Sequence, residues 1–262
     1  MSRLTLALAL AAHAAAQDPA SGWMAYAVGA LPEGKYQRIT RLEMTWKVGA
    51  APKASAAFFS PWFGMDPDDN LNLIQPVNPW SGRAWSAYTE YFQWSPTHNS
   101  NSKAIACSAG DTLHGSLVYD AGADSYVLTQ TNVDTGAVST QTVACQSGKQ
   151  YTVPYVVYEK TFPCADYPPD ENVTFYDIIA ECDDAIDCAD EIAWTPDVKD
   201  ANCDMAAHVL DARTISITWD TSATSAYDRL SALELFELNH RGWATRIGLE
   251  RPANATEPVA VE

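Results

Sequence analysis

The feature that most constrains the fold of this chain is a series of short β-prone runs with no helical periodicity between them. Gly, Pro, Asn and Asp separate eleven such runs, at residues 23–28, 39–48, 57–63, 71–74, 84–94, 112–120, 125–132, 138–144, 151–159, 173–179 and 214–220. Between two of them, Val133-Asp134-Thr135-Gly136 predicts a hairpin turn, in which Gly136 is free to take a positive φ. The pattern predicts an all-β antiparallel sandwich or barrel rather than an α/β fold.

The two ends of the chain differ from this pattern. Residues 1–16 combine an early Arg, an apolar Leu/Ala run and an Ala-Ala-Ala end, which is typical of a signal peptide cleaved before Gln17. We expect a β-sandwich domain at 17–222 and a C-terminal extension at 223–262. In that extension, Ser225 begins a predicted amphipathic helix that ends before Gly242.

The charge of the chain limits its partners. A formal net charge of −17 argues against a nucleic-acid or anionic-membrane partner. No later segment is apolar over the ~20 residues that span a bilayer. We therefore expect a secreted, extracellular, soluble monomer with no cofactor.

The cysteines predict disulfides rather than a metal site. Six cysteines in an exported chain predict three disulfides. Cys107 with Cys145 and Cys182 with Cys188 are the favoured pairs; Cys164 and Cys203 remain. Without a CxxC motif or a His/Cys cluster, metal binding is the weaker interpretation, and a calcium site in an acidic loop is weaker still. Two sequons, at Asn172 and Asn254, are candidate glycosylation sites.

Gln75 is the candidate centre of the chemistry. It closes the apolar run at residues 71–74, and a polar amide there is costly unless the strand faces water or a ligand groove. Trp62 and Asp66 precede it closely. The run at residues 85–94 is aromatic on both faces, so one face can pack the core while the other lines a groove for an extended polymer.

Several common catalytic motifs are absent from the sequence, including GxSxG, HExxH and Walker A. Carboxylate and amide chemistry remains. The residue order resembles the glutamic endopeptidases of the scytalidoglutamic and aspergilloglutamic type over roughly residues 22–221. The matching segments are Gly22 to Val28, Trp62-Phe63-Gly64-Met65-Asp66, Leu73-Ile74-Gln75, Tyr91-Phe92-Gln93-Trp94-Ser95-Pro96, Ala109-Gly110-Asp111-Thr112-Leu113 and Asn132 to Gly136.

The resemblance implies a concanavalin A-like jelly roll with a groove across one sheet. It implies that a glutamine and a glutamate in that groove share one water, with the carboxylate as general base and then acid and the amide stabilising the oxyanion. Gln75 stands at the position of the family's glutamine. The residues expected to bind substrate are Trp62, Asp66, Trp85, Tyr91, Gln93 and Tyr155.

The family's glutamate has no direct counterpart in this sequence. Aligned on the last Glu of the corresponding strand, the catalytic position falls on Tyr155; aligned on the aromatic residue, it falls on Pro154. Glu159 is then the nearest carboxylate on the same strand face. Two hypotheses follow. The first is an acid-acting endopeptidase that uses Gln75 with Glu159, and the second is a non-catalytic relative that binds extended peptide or glycan.

Overall fold

The computed structural model describes residues 22–235, except 56, 147, 161, 226 and 232. The described residues form sixteen strands. In chain order these are β1 (Trp23–Ala30), β2 (Ile39–Lys47), β3 (Ser60–Pro67), β4 (Asn72–Val77), β5 (Trp85–Trp94), β6 (Thr97–Asn101), β7 (Ile105–Cys107), β8 (Thr112–Asp120), β9 (Ser125–Asn132), β10 (Ala137–Ala144), β11 (Tyr151–Glu159), β12 (Asn172–Cys182), β13 (Ile186–Asp187), β14 (Ala193–Val198), β15 (Ala206–Asp211) and β16 (Thr214–Thr218). Short 3₁₀ turns lie at Cys164–Asp166, Ala189–Glu191 and Asn202–Asp204.

The strands form two antiparallel sheets of eight strands each. The first sheet has the order β14-β1-β11-β3-β4-β5-β6, with β7 also paired to β5, and the second has the order β10-β9-β8-β2-β12-β16-β15, with β13 paired to β12. The predicted antiparallel jelly-roll sandwich is confirmed. All eleven predicted runs contribute strands, and β9 and β10 form the predicted hairpin, with Gly136 at φ 72°.

Five strands were not predicted from the sequence: β6, β7, β13, β14 and β15. These strands have only two to six residues, and one residue among them is buried, so the alternation that marks a half-buried strand is weak in them. β14 also contains a proline, which an edge strand tolerates because it does not need every N–H for pairing.

The main core lies between the two sheets. Trp46 on β2 packs against Phe63 on β3, with ring centroids 5.8 Å apart, and against Phe175 on β12, at 5.2 Å. Gly115 on β8 allows the sheets to approach, because a Cβ at that position would lie 2.5 Å from the Phe63 ring. The inner faces of both sheets are thus tightly packed and leave the outer faces for function.

The disulfides differ from the prediction in one pair. Cys182–Cys188 is present as predicted, and Cys164 bonds to Cys203. The favoured pairing of Cys107 with Cys145 is wrong, because both thiols are free. Cys107 lies beside Asn132, at one end of β9, whereas the Cys145 N–H donates to Asp124 O just before the other end of that strand. Eight residues of β-strand separate these ends by about 23 Å.

The predicted end segments lie mostly outside the described residues. This applies to the signal peptide at 1–16, to the sequon at Asn254 and to the C-terminal helix beyond residue 235. The prediction that this helix begins at Ser225 is wrong, because residues 227–229 form a turn and the described helical residues are 233–235, where Ser231 Oγ accepts from the Glu234 N–H. Asn172, the other sequon asparagine, is exposed at the start of β12. Within the described residues, no helix has the length and apolar character that crossing a membrane requires.

Candidate active site

A second aromatic cluster covers the outer face of the first sheet, the face turned away from the second sheet. Side chains alternate along each strand, so that Trp62 points outward while Phe63 packs inward, and Tyr155 points outward while Val156 packs inward. The buried members of this outer cluster are Trp23, Tyr26, Trp62, Leu73, Val77, Phe92, Trp94, Tyr155 and Val157. The outer face therefore has the aromatic surface expected of a binding site for an extended polymer.

One row of residues crosses the middle of this outer face. The strand register pairs Tyr155 on β11 with Gly64 on β3, and Gln75 on β4 with Glu90 on β5. Trp62 pairs with Val77 and Met65 with Ile74, so Gly64 lies opposite Gln75. The row thus runs Tyr155, Gly64, Gln75, Glu90 across four adjacent strands, and we refer to it as the central row.

Gly64 lets β3 lie close against β4 beside the candidate glutamine. A Cβ at position 64 would lie 2.5 Å from the Ile74 carbonyl oxygen and 3.0 Å from the Gln75 Cβ. Both contacts are shorter than van der Waals packing permits, and the first is to backbone. Only glycine therefore fits between Tyr155 and Gln75 without moving the strands.

Gln75 is a buried amide with an unused acceptor. Its side chain is only 6% exposed, and its Oε1 has no hydrogen-bond partner among the described residues. An unsatisfied buried polar group costs about 1–3 kcal/mol. A buried amide whose oxygen is left without a partner on an aromatic face is a good candidate for contact with a ligand.

Glu159 lies on the same outer face but not in the central row. It pairs with Ser60, four residues along β3 from Gly64, which corresponds to about 13 Å along the strand. The carboxylate is buried, accepts a hydrogen bond of 3.0 Å from the Trp62 indole N–H and forms an ion pair with Lys160. The structure therefore does not bring Glu159 beside Gln75.

Of the two positions at which the resemblance can place the family's carboxylate, Tyr155 is the one in the central row. It is 3% exposed, and its hydroxyl accepts a hydrogen bond of 3.0 Å from Asn70 Nδ2. Its ring makes an edge contact with Trp23, at 5.2 Å between centroids. The phenol cannot serve as a general base at acid pH, because an ordinary tyrosine ionises near pH ~10.

Asp66 and Trp62 lie on the outer face as predicted. Asp66 is fully buried and pairs with Val153, two residues along β3 from Gly64. Trp62 is also fully buried, in edge contact with Trp23 at 5.1 Å. Both residues therefore border the central row on β3.

Three other predicted groove residues, Trp85, Tyr91 and Gln93, lie on the opposite face of β5. Trp85 and Tyr91 belong to the main core, where Trp85 packs against Phe59 at 5.7 Å. Asn72 Nδ2 donates a 3.0 Å hydrogen bond to the Tyr91 hydroxyl. The outer face of β5 instead carries Tyr88, Glu90, Phe92 and Trp94, because the pairing with β4 turns that set away from the second sheet.

Glu90 is the functional candidate that sequence reasoning missed. Its Oε1 accepts a hydrogen bond of 2.8 Å from Asn99 Nδ2 on β6, and the Tyr88 hydroxyl lies 3.5 Å from its Oε2. Burial raises the pKa of Tyr88, and the negative charges of Glu90 and Glu159 raise it further. Glu90 follows Tyr88 by two residues and so shares its strand face, but its position opposite Gln75 depends on the strand register.

The fold and this residue set define a structural class: a jelly-roll β-sandwich with an amide and carboxylates on one aromatic sheet face. The chain belongs to the Peptidase A4 family, whose sequence model matches residues 26–219. The predicted family relationship is thereby confirmed. A search of curated protein sequences gave no match.

Solved structures that share the fold include two peptidases. Scytalido-glutamic peptidase, solved with a transition state analog inhibitor, is 20% identical, with a TM-score of 0.57, and the match covers 76% of this chain and 98% of that chain. SCP-B, a member of the Eqolisin family of peptidases solved with the tripeptide Ala-Ile-His, is also 20% identical, with a TM-score of 0.55 and the same coverage. At this identity the likeness establishes the common fold.

Proposed function

We propose that this protein is a secreted endopeptidase that hydrolyses extended polypeptides at acid pH on the outer face of the first sheet. The observation that carries the proposal is Gln75, a buried amide with an unused acceptor, held beside Gly64 in the middle of the aromatic face. Membership of the Peptidase A4 family supports the reaction class. Two structural relatives bind a transition state analog and a tripeptide, which supports a peptide as ligand.

Gln75 has the chemistry that peptide hydrolysis needs. Its Nε2–H group can donate to the carbonyl oxygen as that oxygen becomes an oxyanion, and one such donor is worth about 10²–10³ in rate. The aromatic side chains around it supply contact area for an extended chain. Because the amide does not titrate, this interaction persists at acid pH.

The export and acid parts of the proposal rest on the sequence. The N-terminal segment has the build of a signal peptide, and the two disulfides suit an oxidising compartment. The net charge of −17 keeps the protein soluble, and protonation of part of its 33 acids at acid pH reduces the repulsion among them.

The test is cleavage of a denatured protein substrate at about pH 4, where glutamates are partly ionised, followed by mass spectrometry of the products. We expect cleavage by the wild type and a loss of about 10²-fold or more in Gln75→Ala. Gln37→Ala is the matched control, since Gln37 is exposed and lies outside the first sheet. Absence of cleavage, or equal activity in Gln75→Ala and the wild type, would contradict the proposal.

A second candidate function is binding of extended peptide or glycan without hydrolysis. The observation in its favour is that Glu159 is engaged by Trp62 and Lys160, while neither residue that aligns with the family's glutamate, Tyr155 or Pro154, is a carboxylate. Saturable binding of a peptide or oligosaccharide that is recovered uncut, and that weakens in Tyr88→Ala, would establish this function. Recovery of cleaved peptide would exclude it.

A further inference from the structure

We propose that Glu90 is the catalytic carboxylate, which activates water from the β5 side of Gln75. This inference rests on the proposed peptidase function and names the residue that completes it. The site would thus consist of a glutamine and a glutamate on directly hydrogen-bonded strands, β4 and β5.

The strand register places Glu90 closest to Gln75 among the acids of this face. Gln75 and Glu90 are direct partners across β4 and β5. Directly opposed side chains on one face have Cβ atoms about 4.5–5.5 Å apart. Two flexible side chains at that separation can contact the same water and the same scissile carbonyl.

The other acids of the central strands are less suited to this role. Among β3, β4, β5 and β11, the acids are Asp66, Glu90 and Glu159, and all three lie on the outer face. Asp66 has no exposed surface, so a substrate cannot reach it in this conformation. Glu159 is engaged by Trp62 and Lys160 and lies away from the central row. Glu90, in contrast, is partly exposed and reachable.

The surroundings of Glu90 orient its carboxylate. Asn99 Nδ2 donates a 2.8 Å hydrogen bond to Oε1. This contact fixes one carboxylate oxygen, and a general base has to be held within hydrogen-bond reach of the water that it deprotonates. Tyr88 flanks Oε2 at 3.5 Å and provides a wall of the site.

The reaction balances with water as the only co-reactant. Glu90 takes a proton from the water as the water oxygen forms a bond to the scissile carbonyl carbon. The carbonyl oxygen becomes an oxyanion, to which Gln75 Nε2–H donates a hydrogen bond. As the C–N bond breaks, the neutral Glu90 returns the proton to the leaving nitrogen, and a carboxylic acid and an amine are released.

The first experiment measures kcat/KM for peptide cleavage in the full-length protein and three isosteric variants. We expect Glu90→Gln to lose about 10²-fold or more. Glu33→Gln, at an exposed turn position outside both sheets, is the matched control and should keep the wild-type activity. Glu159→Gln tests the competing carboxylate and should lose less activity than Glu90→Gln at equal folded fraction. Wild-type activity in Glu90→Gln would overturn the inference, while a loss in Gln75→Ala would leave the peptidase function standing.

The second experiment tests the proximity of the two residues without relying on activity. Carbon-13 NMR follows the carboxyl titrations in the wild type and in Gln75→Glu. Because two adjacent carboxylates cannot both ionise freely, we expect the Glu90 titration to move by more than about one pH unit. An unmoved titration would overturn the inference. An inactive wild type would overturn it together with the proposed function.

Discussion

Replacement of Gly64 by alanine tests the geometry of the site most simply. The new Cβ would lie 2.5 Å from the Ile74 carbonyl oxygen and 3.0 Å from the Gln75 Cβ. The oxygen belongs to the backbone of β4 and cannot rotate away, so β3 and β4 must separate. Such overpacking costs about 1–3 kcal/mol. In a domain of this size each kcal/mol corresponds to about 2–4 °C, so Tm should fall by about 2–12 °C.

The same change should displace Gln75 and reduce cleavage. A shift of about 1 Å in a catalytic group can cost about 10²-fold in rate. The control is Ile215→Val, a fully buried core position on β16 in the second sheet. Such a change costs about 0.5–1.5 kcal/mol, so it should lower Tm and leave cleavage largely intact.

Differential scanning calorimetry and a peptide-cleavage assay at a temperature where both variants are folded measure the two effects. An unchanged Tm and an unchanged rate in Gly64→Ala would refute the reasoning. So would an equal loss of cleavage in Ile215→Val, because the effect would then follow from lower stability alone.

Three further predictions concern stability and cysteine chemistry. Glu159→Gln should lower the free energy of unfolding by about 1–3 kcal/mol, because the ion pair is lost and one of two buried acceptor oxygens becomes an NH2 group that faces a donor. Chemical denaturation measures this loss. Burial raises the pKa of Asp166, so its contribution to stability is complete below the unfolded pKa and is lost as the pH rises through the folded pKa. Asp166→Asn should therefore raise Tm at pH ~7 and lose that advantage below pH ~4. A difference in Tm that does not depend on pH would contradict this prediction. Mass spectrometry after alkylation of the denatured protein should find two disulfides and two free thiols, at Cys107 and Cys145. Burial raises the pKa of each to about 11, so iodoacetamide should label them slowly in the folded protein at pH ~8, and rapid labelling would count against the structure.

The architecture could be read from the sequence, because half-buried strands carry an alternation that is visible locally. The sequence does not show which face of β5 packs inward, because both faces are aromatic and only the pairing with β4 decides between them. Tyr91 lies in the core and Phe92 lies on the outer face, contrary to the prediction.

The candidate site was predicted in part for the same reason. Gln75 could be found locally, as an amide at the end of an apolar run. Its partner could not, because the turn between β4 and β5 sets the register that places Glu90 opposite it. Glu159 lies on the predicted strand and face, but four residues from the central row, a separation that depends on the pairing of β11 with β3.

The most direct test of the central claim compares cleavage of one peptide at about pH 4 by the wild type, Gln75→Ala, Glu90→Gln and Glu159→Gln. The site described above predicts that the wild type and Glu159→Gln cleave the peptide, while each of the other two loses about 10²-fold or more. Full activity in Glu90→Gln with a loss in Glu159→Gln would contradict the pairing of Gln75 with Glu90.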